Sequence, residues 1–253
     1  EQAVLDINWH IGPGELTSIS GYRQYMTKSE IDVDGTPDPI FHGNTTNQQD
    51  QFYEELRYAM KLNKRAELTT GMSYFTQNLF YSEQRFINNN ATKRAADSIM
   101  DQYAVGFFMQ GDVDLTDTLT LKLGGRYTWE EKDVKVASLA GTRSSDLIEF
   151  SYDFKDSDRW DFISWHGGLN WHPTEDHLLY ASLTRSFRSG GYNMRNQLPA
   201  SPGPYDKERV DAFEVGVKAD WFNGRIRTNL SAFYNDYKNL QRVVLGPSIE
   251  QEI

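Results

Sequence analysis

The chain has 253 residues, no cysteine, 36 acidic against 26 basic side chains, and a net charge of -10. That balance excludes nucleic acid as the main partner, and a cysteine-free chain has no disulfides and no thiolate metal sites. Mean hydropathy is -0.65, and no run approaches the roughly 18 apolar residues of a membrane helix. Membrane strands stay open, because half of each barrel strand faces water.

Glu1 opens directly into strand-like sequence, so a leader is expected either to have been removed or to lie upstream in a longer protein. Ala3, Leu5, Ile7 and Trp9 alternate with polar neighbours up to a turn at Gly12-Pro13-Gly14. Residues 15–26 form a second strand whose lipid-facing side the pattern does not fix. Residues 28–49 are polar and turn-rich and are expected as a long loop. Phe52, Leu56, Tyr58, Met60 and Leu62 then form one face, broken near its start by Glu54, which is expected outside the bilayer. After Asn63-Lys64, Ala66, Leu68, Thr70, Met72 and Tyr74 form the next apolar face. Residues 83–100, with Asn88-Asn89-Asn90, are expected as a second long loop.

The pattern is strongest over residues 102–130. Tyr103, Val105, Phe107, Met109 and Val113 share one face, and after a turn near Thr116 so do Leu119, Leu121, Leu123, Tyr127 and Trp129. Polar and small residues, Lys122, Arg126 and Glu130 among them, fill the other face. Period two over this length means strands, and they exceed the 5–6 residues usual in soluble sheets. Taken alone, this hairpin also fits a soluble sandwich. Residues 133–159 are expected as the longest loop. Four further strands follow, around Leu169, Leu179, Val217 and Leu230, with a loop over 189–206 and a hairpin turn at Asn223-Gly224.

About ten strands result, and their connections alternate short and long without exception, as in outer-membrane barrels with short periplasmic turns and long outer loops. Trp9, Trp171 and Trp221 each precede a short turn, which suits an aromatic girdle at one interface. The expected fold is all-β: an antiparallel up-and-down transmembrane β-barrel, with residues 1–253 forming one partial barrel domain.

Several stretches resemble the barrel of TonB-dependent outer-membrane receptors: LTSISGYR from Leu16, FYEELR from Phe52, LTLKLGGRYT from Leu119, YASLTRSFRSGGYN from Tyr180, FEVGVKADWFNGR from Phe213 and AFYNDYKNL from Ala232. The resemblance implies a 22-stranded barrel around a plug domain. It also implies import of a scarce ligand, most commonly a ferric siderophore, driven by the TonB complex. The chain departs from that pattern in lacking the plug and about half the strands. The remaining barrel strands are therefore expected outside it, because open sheet edges in lipid leave backbone groups unpaired. A passive porin and a closed ten-stranded outer-membrane enzyme, such as a surface protease, are the alternatives. The enzyme needs an acid/base cluster at the rim: Glu130-Glu131 and Asp156 with Asp158 are the available carboxylates, and nothing in the sequence converges on them.

Ligand contact is expected on the long-loop side, from Arg185, Arg188, Tyr192 and Arg195, by charge-assisted hydrogen bonds to an anionic group. The same arginines also suit lipopolysaccharide phosphates or acidic lumen residues. Charges such as Lys122, Arg126, Glu214, Lys218, Arg225 and Arg227 are expected to pair with each other or with a plug. His172 with His177 reads as a hydrated turn, and Asp32-Val-Asp34-Gly35 as a solvated loop lacking further calcium ligands. No catalytic residue, cofactor or metal site is expected.

Overall fold

The computed structural model describes residues 1–38, 40–87, 92–139, 154–195, 202–245 and 251–252. Ten strands follow one another in a single antiparallel sheet, in chain order. They are β1 (Gln2–Ile11), β2 (Gly14–Asp32), β3 (Phe41–Asn63), β4 (Ala66–Ile87), β5 (Thr92–Asp114), β6 (Leu119–Leu139), β7 (Phe154–Thr174), β8 (His177–Arg188), β9 (Glu208–Trp221) and β10 (Ile226–Lys238). A two-residue ladder, β11 (Val244–Leu245) with β12 (Gln251–Glu252), stands apart. Among the described residues β1 and β10 do not pair with each other, so the sheet is an open arc of barrel.

Register carries the apolar rows from strand to strand. Met72 lies opposite Phe107, Phe107 opposite Tyr127, and Tyr127 opposite Ile163. Leu169 faces Ala181, Ala181 faces Val215, and Val215 faces Ala232. Opposed residues share a face, so one face is apolar across the sheet. That outer face is uncovered: Met109 is 56% exposed, Leu123 54% and Ile163 63%. A continuous apolar surface of this kind needs an apolar partner, and for a barrel wall that partner is hydrocarbon. Trp9, Trp171 and Trp221 all lie on this face beside short turns.

The face of β2 is settled by pairing. Leu16 opposes Trp9 and Tyr58, which puts Leu16, Ser18, Ser20 and Tyr22 outward. The apolar pattern is weak there because Ser18 and Ser20 donate to Glu54, at 2.8 and 2.5 Å, and so partner the carboxylate that interrupts β3. Glu54 is level with Tyr74 across the pairing, in a row that continues through Val105 to Trp129, so it sits among ring-bearing side chains.

Two expectations are corrected. The segments 28–49 and 83–100 are mainly strand: β2 and β3 are joined by residues 33–40, and β4 runs on to Ile87 before β5 begins at Thr92. Likewise β6 reaches Leu139 and β7 starts at Phe154, so the ends of 133–159 are strand as well. Above a bilayer both faces of a strand meet water, so the hydrophobic alternation that marks a strand disappears while the ladder continues. The expected loop residues 88–91, 140–153 and 196–201 lie outside the described residues. The second correction concerns the last turn. Trp221 pairs with Ile226, leaving four residues between them, and Phe222, Asn223 and Gly224 all have positive φ. Asn223 and Gly224 tolerate that conformation as expected, and Phe222 joins them.

Candidate functional site

The long-connection end of the sheet forms a mouth, and its polar inner face carries the most enclosed chemistry among the described residues. Residues 189–195 leave β8 and cross this inner face over β7, β6 and β5 to reach β4. Four strand spacings of about 4.8 Å make the crossing roughly 19 Å. The segment contacts every strand it passes.

The crossing begins at β6. Ser189 Oγ donates to Glu130 at 2.7 Å, and Lys132 Nζ donates to Ser189 Oγ at 2.9 Å and to the Gly190 carbonyl at 2.6 Å. Lys132 also pairs with Glu130 at 3.0 Å and lies over the Trp160 ring. Gly190 has no room for a side chain: an added Cβ would stand 2.1 Å from the Tyr205 carbonyl and 2.3 Å from Trp160 Nε1. Gly191 and Tyr205 exchange backbone hydrogen bonds of 3.2 and 2.9 Å, which folds the returning chain back on the segment.

The segment packs on the wall through a small apolar core, its own Tyr192 with Val134, Val136 and Trp160, and its Met194 with Met100 and Phe154 against them. The Tyr192 ring meets Trp160 edge-on at 6.2 Å, and its hydroxyl donates to Asp156 at 3.1 Å. Burial first, and then the neighbouring Asp156 carboxylate, push the Tyr192 phenol well above its ordinary pKa. Ser98 of β5 donates to the Met194 carbonyl at 2.7 Å.

The crossing ends at β4. Arg195 grips Glu83 with two hydrogen bonds, 2.9 Å from Nε and 3.0 Å from Nη2. Arg85 Nε and the Tyr81 hydroxyl each add another at 2.8 Å. Glu83 lies 17 residues beyond Ala66 along β4. At about 3.4 Å per residue and a tilt of ~40° that is roughly 44 Å above the short turn, clear of an apolar band ~25 Å tall. Burial alone would raise the Glu83 carboxyl, but the hydrogen bonds from Arg195 and Arg85 outweigh it and hold the group at about 2.

The expected ligand residues therefore stand in different places. Arg195 and Tyr192 come together within the crossing segment, each tied to a strand carboxylate. Arg188 ends β8, is exposed and stands near Tyr205. Arg185 is on the outer face: it opposes Trp165, lies over that ring at 5.8 Å and pairs with Asp211 through contacts of 2.6 and 3.0 Å. Its parity with Leu183 carried that information. Glu83, Lys132 and Trp160 were missed because they fall in or beside segments that look like loop. The even spacing of Gln77, Leu79, Tyr81, Glu83 and Arg85 continues the inner face of β4 and could have revealed Glu83.

Nearer the short turns, the inner charges are held by neighbouring wall residues. Lys122 pairs with Asp112 at 2.5 Å, Arg227 with Asp220 at 2.7 Å, Arg126 donates to Ser73 at 2.6 Å, and Glu214 accepts from Tyr180 at 2.6 Å. Glu130 and Glu131 point to opposite faces, Glu131 accepting from Arg159 at 3.0 Å. His177 bonds Thr174 at 2.6 Å and packs on Trp221. Asp32 and Asp34 approach His42, with one ligand atom from each within 4.8 Å of the others. Both carboxylates there accept backbone N–H groups, Asp32 from Gly35 and Asp34 from Thr36 and from Phe41 at the start of β3.

A one-sided strand wall with an enclosed polar mouth defines a barrel of the transmembrane kind. Within that class the chain belongs to the TonB-dependent receptor-like β-barrel family, whose model matches residues 2–250. It is 22% identical over 172 residues to the probable TonB-dependent siderophore receptor PiuA of Acinetobacter baumannii, covering 66% of this chain and 22% of that protein. Among solved structures, the ferric yersiniabactin uptake receptor FyuA of Yersinia pestis matches with a TM-score of 0.78 at 15% identity, over 95% of this chain and 36% of FyuA. The siderophore receptor PiuA of A. baumannii gives 0.67 at 13% identity, over 92% and 39%. The ferric citrate transporter FecA gives 0.68 at 15% identity, over 93% and 34%. The chain thus spans well under half the length of these relatives, which are receptors and transporters.

Proposed function

We propose that this chain forms part of the wall and mouth of an outer-membrane receptor that imports a ferric siderophore or related iron complex, energised through TonB. The observation that carries this reading is the single apolar face kept in register across ten strands, backed by a polar inner face. Such a wall separates hydrocarbon from a hydrated lumen. The family membership and the iron-related names of several relatives support the choice of ligand.

On this reading the edges of β1 and β10 are covered by the remaining strands of a 22-stranded barrel, and a plug occupies the lumen. The TonB complex reaches the receptor through that plug. The outward Arg185, at the upper rim of the apolar band, stands at the height of lipopolysaccharide headgroups. Arg188, exposed at the mouth, remains the basic side chain best placed for an anionic ligand.

The test is uptake. A strain lacking the gene, grown under iron limitation, is offered a panel of ferric siderophores carrying radioactive iron. At least one must be taken up only when the receptor and TonB are both present. Uptake of the whole panel unchanged by deletion, or uptake independent of TonB, contradicts the proposal.

A further inference from the structure

The crossing segment is fastened at its far end by one buried carboxylate. Glu83 has a side chain only 5% exposed and accepts four hydrogen bonds. Tyr81 and Arg85 belong to β4 itself, so among the described residues Arg195 is the donor that arrives from outside. A carboxylate withdrawn from water is costly unless paired, and removing one partner of such a pair is strongly destabilising. The wall under the segment is apolar and sealed, with Val136 1% exposed and Trp160 5%. The segment packs on that wall through Tyr192 and Met194, and Ser98 of the wall donates to the Met194 carbonyl.

We propose that residues 189–195 are a latched strap, held by Arg195 on Glu83, which withholds the inner wall of β4–β7 from anything entering the mouth. This rests on the reading above that the inner face opens to the outside. Arg195 and Tyr192 then serve the latch, and ligand contact begins on the strap and its surroundings instead of on the wall beneath. Glu83 acts as a positioning residue: it sets where the strap lies and has no contact with the ligand.

The chain has no cysteine, so single introduced thiols report access cleanly. In the full-length receptor on intact cells, a membrane-impermeant maleimide is applied to two variants. Ser157→Cys, at an exposed position of β7 above the apolar band, labels readily if this end faces outward. Failure there sinks the membrane orientation itself, separately from the latch. Val136→Cys, beneath the strap, stays protected, and Ala96→Cys, fully buried opposite Glu83, is the second reporter should the first fold poorly. Adding Glu83→Gln or Arg195→Gln raises labelling of the buried thiol at least about tenfold, less than a fully buried pair would give because Arg195 is partly solvated. Combining both adds little, since the two residues form one contact. The latch is overturned if the buried thiol labels as fast as the one at position 157 in the otherwise native chain. It is equally overturned if both latch variants leave that thiol protected, if their effects simply add, or if labelling rises only where the barrel itself has lost its resistance to detergent.

Discussion

Glu83 and Arg185 show how much a charged residue's role depends on which side of a strand it occupies. Arg185 lies on the outer face, with Asp211 opposite and the Trp165 ring beneath it, in a partly exposed pair. Pairs of that kind add little stability. Glu83 is enclosed, yet the hydrogen bonds from Arg195, Arg85 and Tyr81 outweigh burial and lower its pKa to about 2 from an ordinary 4.5. A carboxyl lowered in the folded state stabilises it fully above the unfolded value, and that contribution fades as pH falls through the folded value. The strap should therefore stay closed from neutral pH down to about 4.5 and loosen towards pH 2. Acrylamide quenching of Trp160, taken as the difference between the native protein and Trp160→Phe, measures this. Quenching that already rises near pH 6 would mean that Glu83 is not held in the charged form.

At the scale of elements, the membrane-crossing parts of the strands were legible because lipid on one side and water on the other impose period two. Their outer halves were not: β3 from Phe41 to about Asp50 is polar on both faces, so only pairing with β2 and β4 reveals it as strand. The strap was illegible for a different reason. Its conformation is set by contacts with residues up to 112 positions away, as from Arg195 to Glu83, and no local pattern records them. What the sequence does show is the pair Gly190-Gly191 inside the expected loop 189–206. The structure requires glycine at position 190 for close approach to Tyr205 and Trp160. Gly190→Ala should lift the strap, at a cost of about 1–3 kcal/mol for overpacking. Gly43→Ala, whose added carbon would meet nothing closer than 3.7 Å, should be neutral. Hydrogen exchange over 189–195 compares the two, and equal protection would show that Gly190 is not packed as described.

For the whole molecule, the sheet makes sense only with a different solvent on each side. Its outer face would be an aggregation hazard in water, with Phe107, Met109, Leu123, Ile163 and Leu183 all at least half exposed. The inner face holds ion pairs and hydrogen-bonded amides, such as Gln51 to Gln77 at 2.6 Å and Gln102 to Glu130 at 2.8 Å, which hydrocarbon would not tolerate. The alternation of face and the sequence of hairpins were readable from residues alone, and so was the resemblance to TonB-dependent receptors. That the chain is only part of a barrel was also expected from the sequence, and the arc, whose β1 and β10 do not pair among the described residues, agrees; the strap within it needed three dimensions.

Met109 and Gln110 test this division most directly, because they are neighbours in β5 and point to opposite faces. Met109 lies five residues from the end of β5 at Asp114, near the middle of the apolar band. Lysine there meets hydrocarbon and costs about 2–4 kcal/mol, whereas lysine at Gln110 meets the lumen. The measurement is the amount of folded, detergent-resistant full-length receptor in the outer membrane. A sharp loss for Met109→Lys with near-native levels for Gln110→Lys is the predicted result, and equal tolerance of the two substitutions would contradict a wall between lipid and water.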